Sequence, residues 1–131
     1  MATLPLMDDR TAPSDSRAVF DDIRTRRQTD YVNNFWRALA HDPALLRATW
    51  ERLNAVMAPG ALDPLVKELI YIAVSTANGC GYCVHSHTAA ARAKGMTPDQ
   101  HAELLAVIGM ASQTNALATA LQVSVDDQFK A

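Results

Sequence analysis

Residues 63–95 read DPLVKELIYIAVSTANGCGYCVHSHTAAARAKG, and this stretch contains two successive helix patterns. An Asp-Pro pair opens the first pattern, with Asp as the cap and Pro in the first turn. From Leu65 to Ala77 the chain is apolar almost all round, which predicts a buried helix. An Asn-Gly pair at 78–79 interrupts the pattern. A second helix is predicted from Cys80 to Lys94, and Gly95 closes it in the left-handed conformation.

The rest of the chain also favours helix, because Gly and Pro are sparse and no period-two strand of useful length occurs. Further helices are predicted from Ser14, as cap, to about Gln28, from Asn34 to Ala40, from Asp42-Pro43 to before Pro59-Gly60, from the Thr97–Gln100 capping box onwards, and from about Thr114 to Gln122. We therefore expect an all-α bundle of about six or seven helices, with the CxxC at the N-terminus of a central helix.

The length of 131 residues, 49% of them hydrophobic, suits one compact domain with a real core. Pro5 and Pro13 discourage regular structure near the start. We expect a flexible leader over residues 1–13 and a single helical domain over residues 14–131.

Charge and hydropathy exclude several classes of partner. The formal net charge is −2, and no Lys/Arg cluster is long enough for a nucleic-acid surface. No apolar run reaches the roughly 18 to 20 residues that span a bilayer, and the first ten residues do not resemble a secretory signal. We therefore expect no nucleic-acid or membrane partner and a cytoplasmic protein, whose thiols are kept reduced by default.

The only two cysteines, Cys80 and Cys83, are three residues apart, and His87 follows four residues later. On a helix these three side chains share one face. The thiolate is the reactive form of cysteine. The helix start favours a thiolate at Cys80, whereas the neighbouring imidazole can take the proton of Cys83. These two arguments leave open which sulfur attacks.

Glu68 lies on the helix that is predicted to be buried, where a carboxylate is costly without a partner. One interpretation is a solvated surface residue beside Lys67. The other is a buried group whose pKa is raised by burial, so that it accepts a proton near neutral pH. His85 lies on a different helix face from the cysteines and is interpreted as a surface or subunit-contact residue.

Two alternatives to redox chemistry are open. Zinc usually has four ligands, and Cys80, Cys83 and His87 supply three, with Glu68 as a possible fourth and no second Cys or His pair. We therefore expect no metal. The other alternative is an inert pair of small buried residues.

A family resemblance rests on the spacing of these residues. Glu68, eleven intervening residues, Cys80-Gly-Tyr-Cys83, three more residues and His87 resemble the signature of the AhpD-like alkylhydroperoxidase family, within the carboxymuconolactone decarboxylase superfamily. Segments 34–43 and 62–96 are also similar to that family, and the resemblance covers about residues 19–109.

The resemblance implies a helical fold in which two antiparallel helices bring Glu68 to the thiols. It implies a thiol-dependent peroxidase that reduces alkyl hydroperoxides, with Cys83 peroxidatic, Cys80 resolving, and His87 and Glu68 forming the proton relay. It implies an external thiol or protein reductant and no cofactor. The superfamily's decarboxylase branch typically lacks the cysteine pair, so lactone decarboxylation is not expected.

One position departs from the best-studied type of this family, which has a histidine directly before the second cysteine. Tyr82 stands there in this chain, so a relay step assigned to that histidine has no carrier, and we expect modest peroxidase activity.

Two competing hypotheses use the same residues differently. The first is a redox-sensing or binding protein in which the disulfide is a switch with little peroxidase turnover. The second is a structural helical oligomer with inert cysteines. The family resemblance also implies trimers or hexamers, and the apolar segment 104–121 is the expected surface for self-association.

Overall fold

The computed structural model describes residues 2–130, and this part of the chain is helical with no strand. In chain order the helices are α1 (Ser14–Arg27), α2 (Asn34–Leu39), α3 (Pro43–Met57), α4 (Pro64–Ala77), α5 (Gly81–Ala93), α6 (Pro98–Ala120) and a short 3-10 helix (Asp127–Phe129). The predicted all-α class is confirmed, as is the position of the CxxC at the start of a helix.

The predicted starts of three helices form as the sequence indicates. Asp42 and Asp63 each accept a hydrogen bond from a backbone N–H in the first turn of the helix that follows. Thr97 and Gln100 form the complete capping box at the start of α6. Each of these caps satisfies a donor that the helix itself cannot pair.

Two details of the predicted helices are wrong. A separate last helix from about Thr114 does not exist, because α6 runs unbroken from Pro98 to Ala120. Gly109 in its middle does not break the helix, because one glycine costs a helix only about 1 kcal/mol. Ser14 is not the cap of α1: it is the first helical residue, and Pro13 occupies the cap position without a side-chain hydrogen bond.

The chain divides into two compact units, and the first of them is Met1–Ala58. Its core contains Phe20 and Ile23 from α1 together with Leu46 and Trp50 from α3. Part of the predicted flexible leader contacts this unit, since Met7 and Arg37 exchange two hydrogen bonds of 3.2 and 2.8 Å. The flexibility of the leader and the single domain over residues 14–131 stay predictions.

The second unit is Pro59–Ala131, in which α4 and α5 pack closely along each other as a helical hairpin. Gly79 lies in the connection with a φ of +67°, a conformation that other residues adopt only at a cost. Residues from four segments form the core of this unit, namely Ile72, Ala91 and Met96 with the partly buried Leu65, Leu69, Leu104 and Ile108.

The prediction that α4 is buried on all sides is wrong for a single chain. Val66, Ile70 and Val74 form a stripe on α4 and are 40%, 48% and 53% exposed. The reason is that α5 and α6 cover only one side of α4, the side that carries Glu68 and Ile72. Within residues 2–130, none of the helices is both long and apolar enough to cross a bilayer.

Candidate active site

The Glu68 carboxylate lies at the centre of a polar cluster inside the α4–α5 hairpin. The residue is only 4% exposed, so it is not the solvated surface glutamate that the sequence left open. Its Oε2 lies 2.7 Å from Nδ1 of His87, and its Oε1 lies 2.8 Å from Nζ of Lys94. Both oxygens of a buried carboxylate therefore have a partner, as such a group requires.

The charge state of Glu68 differs from the sequence-based expectation. Burial raises the pKa of this carboxyl group, but the hydrogen bonds from His87 and Lys94 and the charge of Lys94 lower it by more. The resulting pKa is below the ordinary value of 4.5, so the expected proton acceptor near neutral pH is wrong. Glu68 is a fixed anion at neutral pH, because its two partners compensate for the lost hydration.

The anion at Glu68 determines how His87 is protonated. A carboxylate can only accept hydrogen bonds, so Nδ1 of His87 must carry the hydrogen that it shares with Oε2. In a neutral imidazole the other nitrogen, Nε2, then has a free lone pair. The ring of Tyr71 also stacks on His87, with 3.5 Å between the ring centroids and an angle of 18° between the planes. The imidazole is therefore held by a hydrogen bond at its edge and by an aromatic ring on its face.

The two cysteines begin the same helix that carries His87. Cys80 and Cys83 are joined by a disulfide, with their Cα atoms 5.4 Å apart. Cys80 is the cap residue of α5, and its sulfur accepts a hydrogen bond of 3.3 Å from the backbone N–H of Cys83. Such a donor at a helix N-terminus stabilises negative charge on sulfur. The segment thus has the means to close a disulfide and to favour a thiolate when the disulfide opens.

The four predicted site residues all lie in the α4–α5 hairpin. Glu68 and His87 are in contact, Cys80 and Cys83 are bonded, and His87 follows Cys83 by one helical turn on α5. His85, which was assigned to another face, is exposed.

Two residues that the sequence did not single out also belong to the cluster, Tyr71 and Lys94. Their spacing was the available signal. Tyr71 lies one turn after Glu68, and Lys94 lies two turns after His87, so each falls on the face that carries the site.

The geometry offers no alternative metal centre in the part of the chain that is described. There, no group of three or more His, Cys, Asp or Glu side chains is arranged to hold a metal ion. Both oxygens of Glu68, the possible fourth zinc ligand, are engaged with His87 and Lys94.

Comparison with known proteins identifies the family of this chain. The sequence model of the Carboxymuconolactone decarboxylase family matches residues 43–126, which include the whole α4–α5 hairpin. The chain belongs to the carboxymuconolactone decarboxylase family. The chain is similar to a solved structure described as the alkylhydroperoxidase AhpD core from Rhodospirillum rubrum. The two are 63% identical with a TM-score of 0.95, and the match covers 100% of this chain and 98% of the other.

Two further relatives match a smaller part of this chain. The alkyl hydroperoxide reductase AhpD of Solibacter usitatus is 42% identical over 71 residues, which are 54% of this chain and 38% of the relative. An uncharacterized protein of Cupriavidus necator is 36% identical over 87 residues, covering 66% of this chain and 75% of that protein. The resemblance to AhpD-like proteins is confirmed, and the match spans about two-fifths of the length of the AhpD relative.

Proposed function

We propose that this protein is a thiol-dependent peroxidase that reduces alkyl hydroperoxides through a dithiol/disulfide cycle at Cys80 and Cys83. The observation that supports this most is the disulfide at the start of α5 together with His87, which is held by an ionised Glu68. The AhpD names of several relatives support the same activity.

The proposed cycle starts from the reduced protein. His87 takes the thiol proton of Cys83 at Nε2, and the thiolate attacks the terminal oxygen of the hydroperoxide. The O–O bond breaks, Cys83 becomes a sulfenic acid, and the leaving alkoxide takes the proton from His87 to become an alcohol. The Cys80 thiol then attacks the sulfenic sulfur, which forms the disulfide and releases water. Glu68 keeps its charge throughout and orients the imidazole.

The cycle is completed by an external dithiol or protein reductant, which becomes oxidised to a disulfide as Cys80 and Cys83 regain their hydrogens. No resident cofactor or metal takes part in this proposal, because the thiols carry both electrons. We place the protein in the cytoplasm, where reduced thiols are maintained and the disulfide can be reopened.

Intact-protein mass spectrometry tests the first half of the cycle. One equivalent of an alkyl hydroperoxide added to reduced protein should remove two hydrogens, mapped to Cys80 and Cys83. Cys83→Ser should abolish hydroperoxide consumption, and Cys80→Ser should stop after one oxidation at the sulfenic acid. Sustained turnover in both variants would refute the mechanism. A disulfide that forms without appreciable steady-state turnover would instead support the redox switch.

We also propose that the protein works as a homo-oligomer, a trimer or hexamer. The support is apolar surface that a single chain leaves uncovered: the stripe Val66, Ile70 and Val74 on α4, and most of α6, which has no buried residue. Exposed apolar area of this extent usually marks an interface. Analytical ultracentrifugation at micromolar concentration should show an assembly of three or six chains, and a monomer would contradict the proposal.

A further inference from the structure

Lys94 is the one cation that contacts the Glu68 carboxylate among the residues that the structure describes, and it comes from the far end of α5. It lies at the C-terminal cap of that helix, two turns beyond His87. Its Nζ lies 2.8 Å from Oε1 of Glu68, while His87 binds Oε2. The Lys94 side chain is 37% exposed, whereas that of Glu68 is only 5% exposed. A partly solvated ammonium group therefore reaches inward to a buried carboxylate.

The position of Lys94 has a simpler explanation, in which its charge only stabilises the end of α5. A cation near the C-terminus of a helix interacts favourably with the helix dipole, whatever else it touches. Arg92 lies in the last turn of the same helix and supplies such a charge. Lys94 differs from Arg92 in that it contacts one oxygen of the carboxylate whose other oxygen orients the imidazole of the site.

The contact between Lys94 and Glu68 affects the charge of the whole cluster. With Lys94 and Glu68 both charged and His87 neutral, the charges of these three groups sum to zero. Without the ammonium group, Glu68 would be a buried anion whose remaining polar partner is His87. The imidazole would then hold a second proton to balance that anion. An imidazole that is protonated at both nitrogens cannot take the proton of a thiol.

We propose that Lys94 is a positioning residue of the site, which binds Oε1 of Glu68 so that the ionised carboxylate is satisfied and His87 keeps Nε2 free as the base. This inference rests on the proposed peroxidase function for its kinetic part only. The state of the imidazole can be measured without any substrate.

Titratable groups near the cluster come from three helices. From α4, Tyr71 stacks on His87, and from α5 the thiols of Cys80 and Cys83 precede His87. From α6, the apolar Leu104 and Ile108 pack against this core, and the partly buried His101 lies one turn before Leu104 on the same helix. The groups that lower the pKa of Glu68 are His87 and Lys94.

The test compares the imidazole 15N signals of reduced protein at pH 7, with His87→Gln used to assign the His87 signals. The wild-type protein should show His87 protonated at Nδ1 and unprotonated at Nε2. Lys94→Met should show both nitrogens protonated. Lys94→Arg should restore the wild-type pattern, and Arg92→Met, the matched control for loss of a cation near the helix end, should leave it unchanged.

Two results would overturn the proposal. One is a wild-type spectrum in which both nitrogens of His87 are already protonated. This result is obtained with the wild-type protein alone and does not depend on whether any variant folds. The other is a wild-type pattern in Lys94→Met whose circular dichroism spectrum shows native helix content.

Kinetics supply an independent comparison. Hydroperoxide reduction by Lys94→Met should fall at least about tenfold at pH 7, within the usual contribution of a general base, and the deficit should shrink as the pH rises. A deficit that is equal at all pH values would indicate a merely structural role. If the wild-type protein itself consumes no hydroperoxide, the proposed function fails, while the spectra still decide the role of Lys94.

Discussion

Replacing Glu68 with Gln should destabilise the protein at neutral pH and should matter less as the solution becomes acidic. The amide has nearly the same shape as the carboxyl group but carries no charge. Its NH2 group cannot accept a hydrogen bond, so it keeps the contact to His87, at 2.7 Å in the wild type, only if the imidazole moves its hydrogen from Nδ1 to Nε2, while the amide oxygen can still accept from Lys94, at 2.8 Å. Both contacts lose the strength that the negative charge gave them.

The size of the effect follows from the two contacts. A hydrogen bond to a charged group contributes about 1.5–3 kcal/mol, and the contact to Lys94 is at or below the lower end because that side chain is 37% exposed. Burying a neutral amide costs less than burying a carboxylate, and this offsets part of the lost hydrogen-bond energy. The free energy of unfolding should therefore fall by about 2 kcal/mol. With an unfolding entropy of about 2.1 cal/mol/K per residue, this corresponds to a fall in Tm of roughly 7 °C for a chain of 131 residues.

The pH dependence has a defined sign. The pKa of Glu68 is lower in the folded protein than its ordinary value of 4.5. A depressed carboxyl pKa contributes stability that is fully present above the unfolded value and is lost as the pH falls through the folded value. The gap in Tm between wild type and Glu68→Gln should therefore be present at pH 7 and should narrow as the pH falls below the ordinary carboxyl pKa of 4.5.

Thermal unfolding followed by circular dichroism, at one protein concentration for all samples, measures this gap. Glu103→Gln is the matched control, because Glu103 is exposed on α6, and it should shift Tm by little at any pH. Equal Tm values for Glu68→Gln and wild type at pH 7 would refute the reasoning. A difference in Tm at pH 3 as large as that at pH 7 would also refute the reasoning.

Three further substitutions probe other parts of the second unit. Tyr71→Leu removes the ring that stacks on His87 and should lower the initial rate of hydroperoxide reduction several-fold. Tyr71→Phe keeps a ring and should retain most of the rate. Equal rates in the two variants would contradict a role for the stacking. Gly79→Ala should cost about 1–2 kcal/mol in urea unfolding because of the positive φ, and Gly81→Ala, which lacks that conformation, should cost clearly less. Thr97→Ala should cost about 1 kcal/mol through loss of the capping box, and an unchanged urea midpoint would show that this cap contributes nothing.

Much of the fold could be predicted because its signals are local. Asp before Pro fixed the starts of α3 and α4, and the Asn-Gly pair marked the turn between α4 and α5. The continuity of α6 was missed because the polar run around Thr114 resembles a linker, although its residues have adequate helix propensity. Such a weak local signal cannot decide between one long helix and two short ones.

The four site residues could be predicted from the sequence, but the charge state of Glu68 could not. Spacing alone placed Cys80, Cys83 and His87 on one face, whereas the apolar context left Glu68 open between a solvated and a buried residue, and the structure shows that it is buried. The pKa of Glu68 depends on two competing effects, burial and partners, and only burial could be inferred from neighbours in sequence. Lys94 is 26 residues from Glu68, and its spacing from His87 places it on the same helix face without showing that its side chain reaches Glu68.

The turn at Gly79 also bears on the order of folding. All the groups of the site lie between residues 68 and 94, on two helices whose connection spans only 78–80. Closing so short a loop costs little chain entropy, and contacts between near neighbours form quickly. We therefore expect the acid and the imidazole to meet when the hairpin closes, without docking of distant parts of the chain.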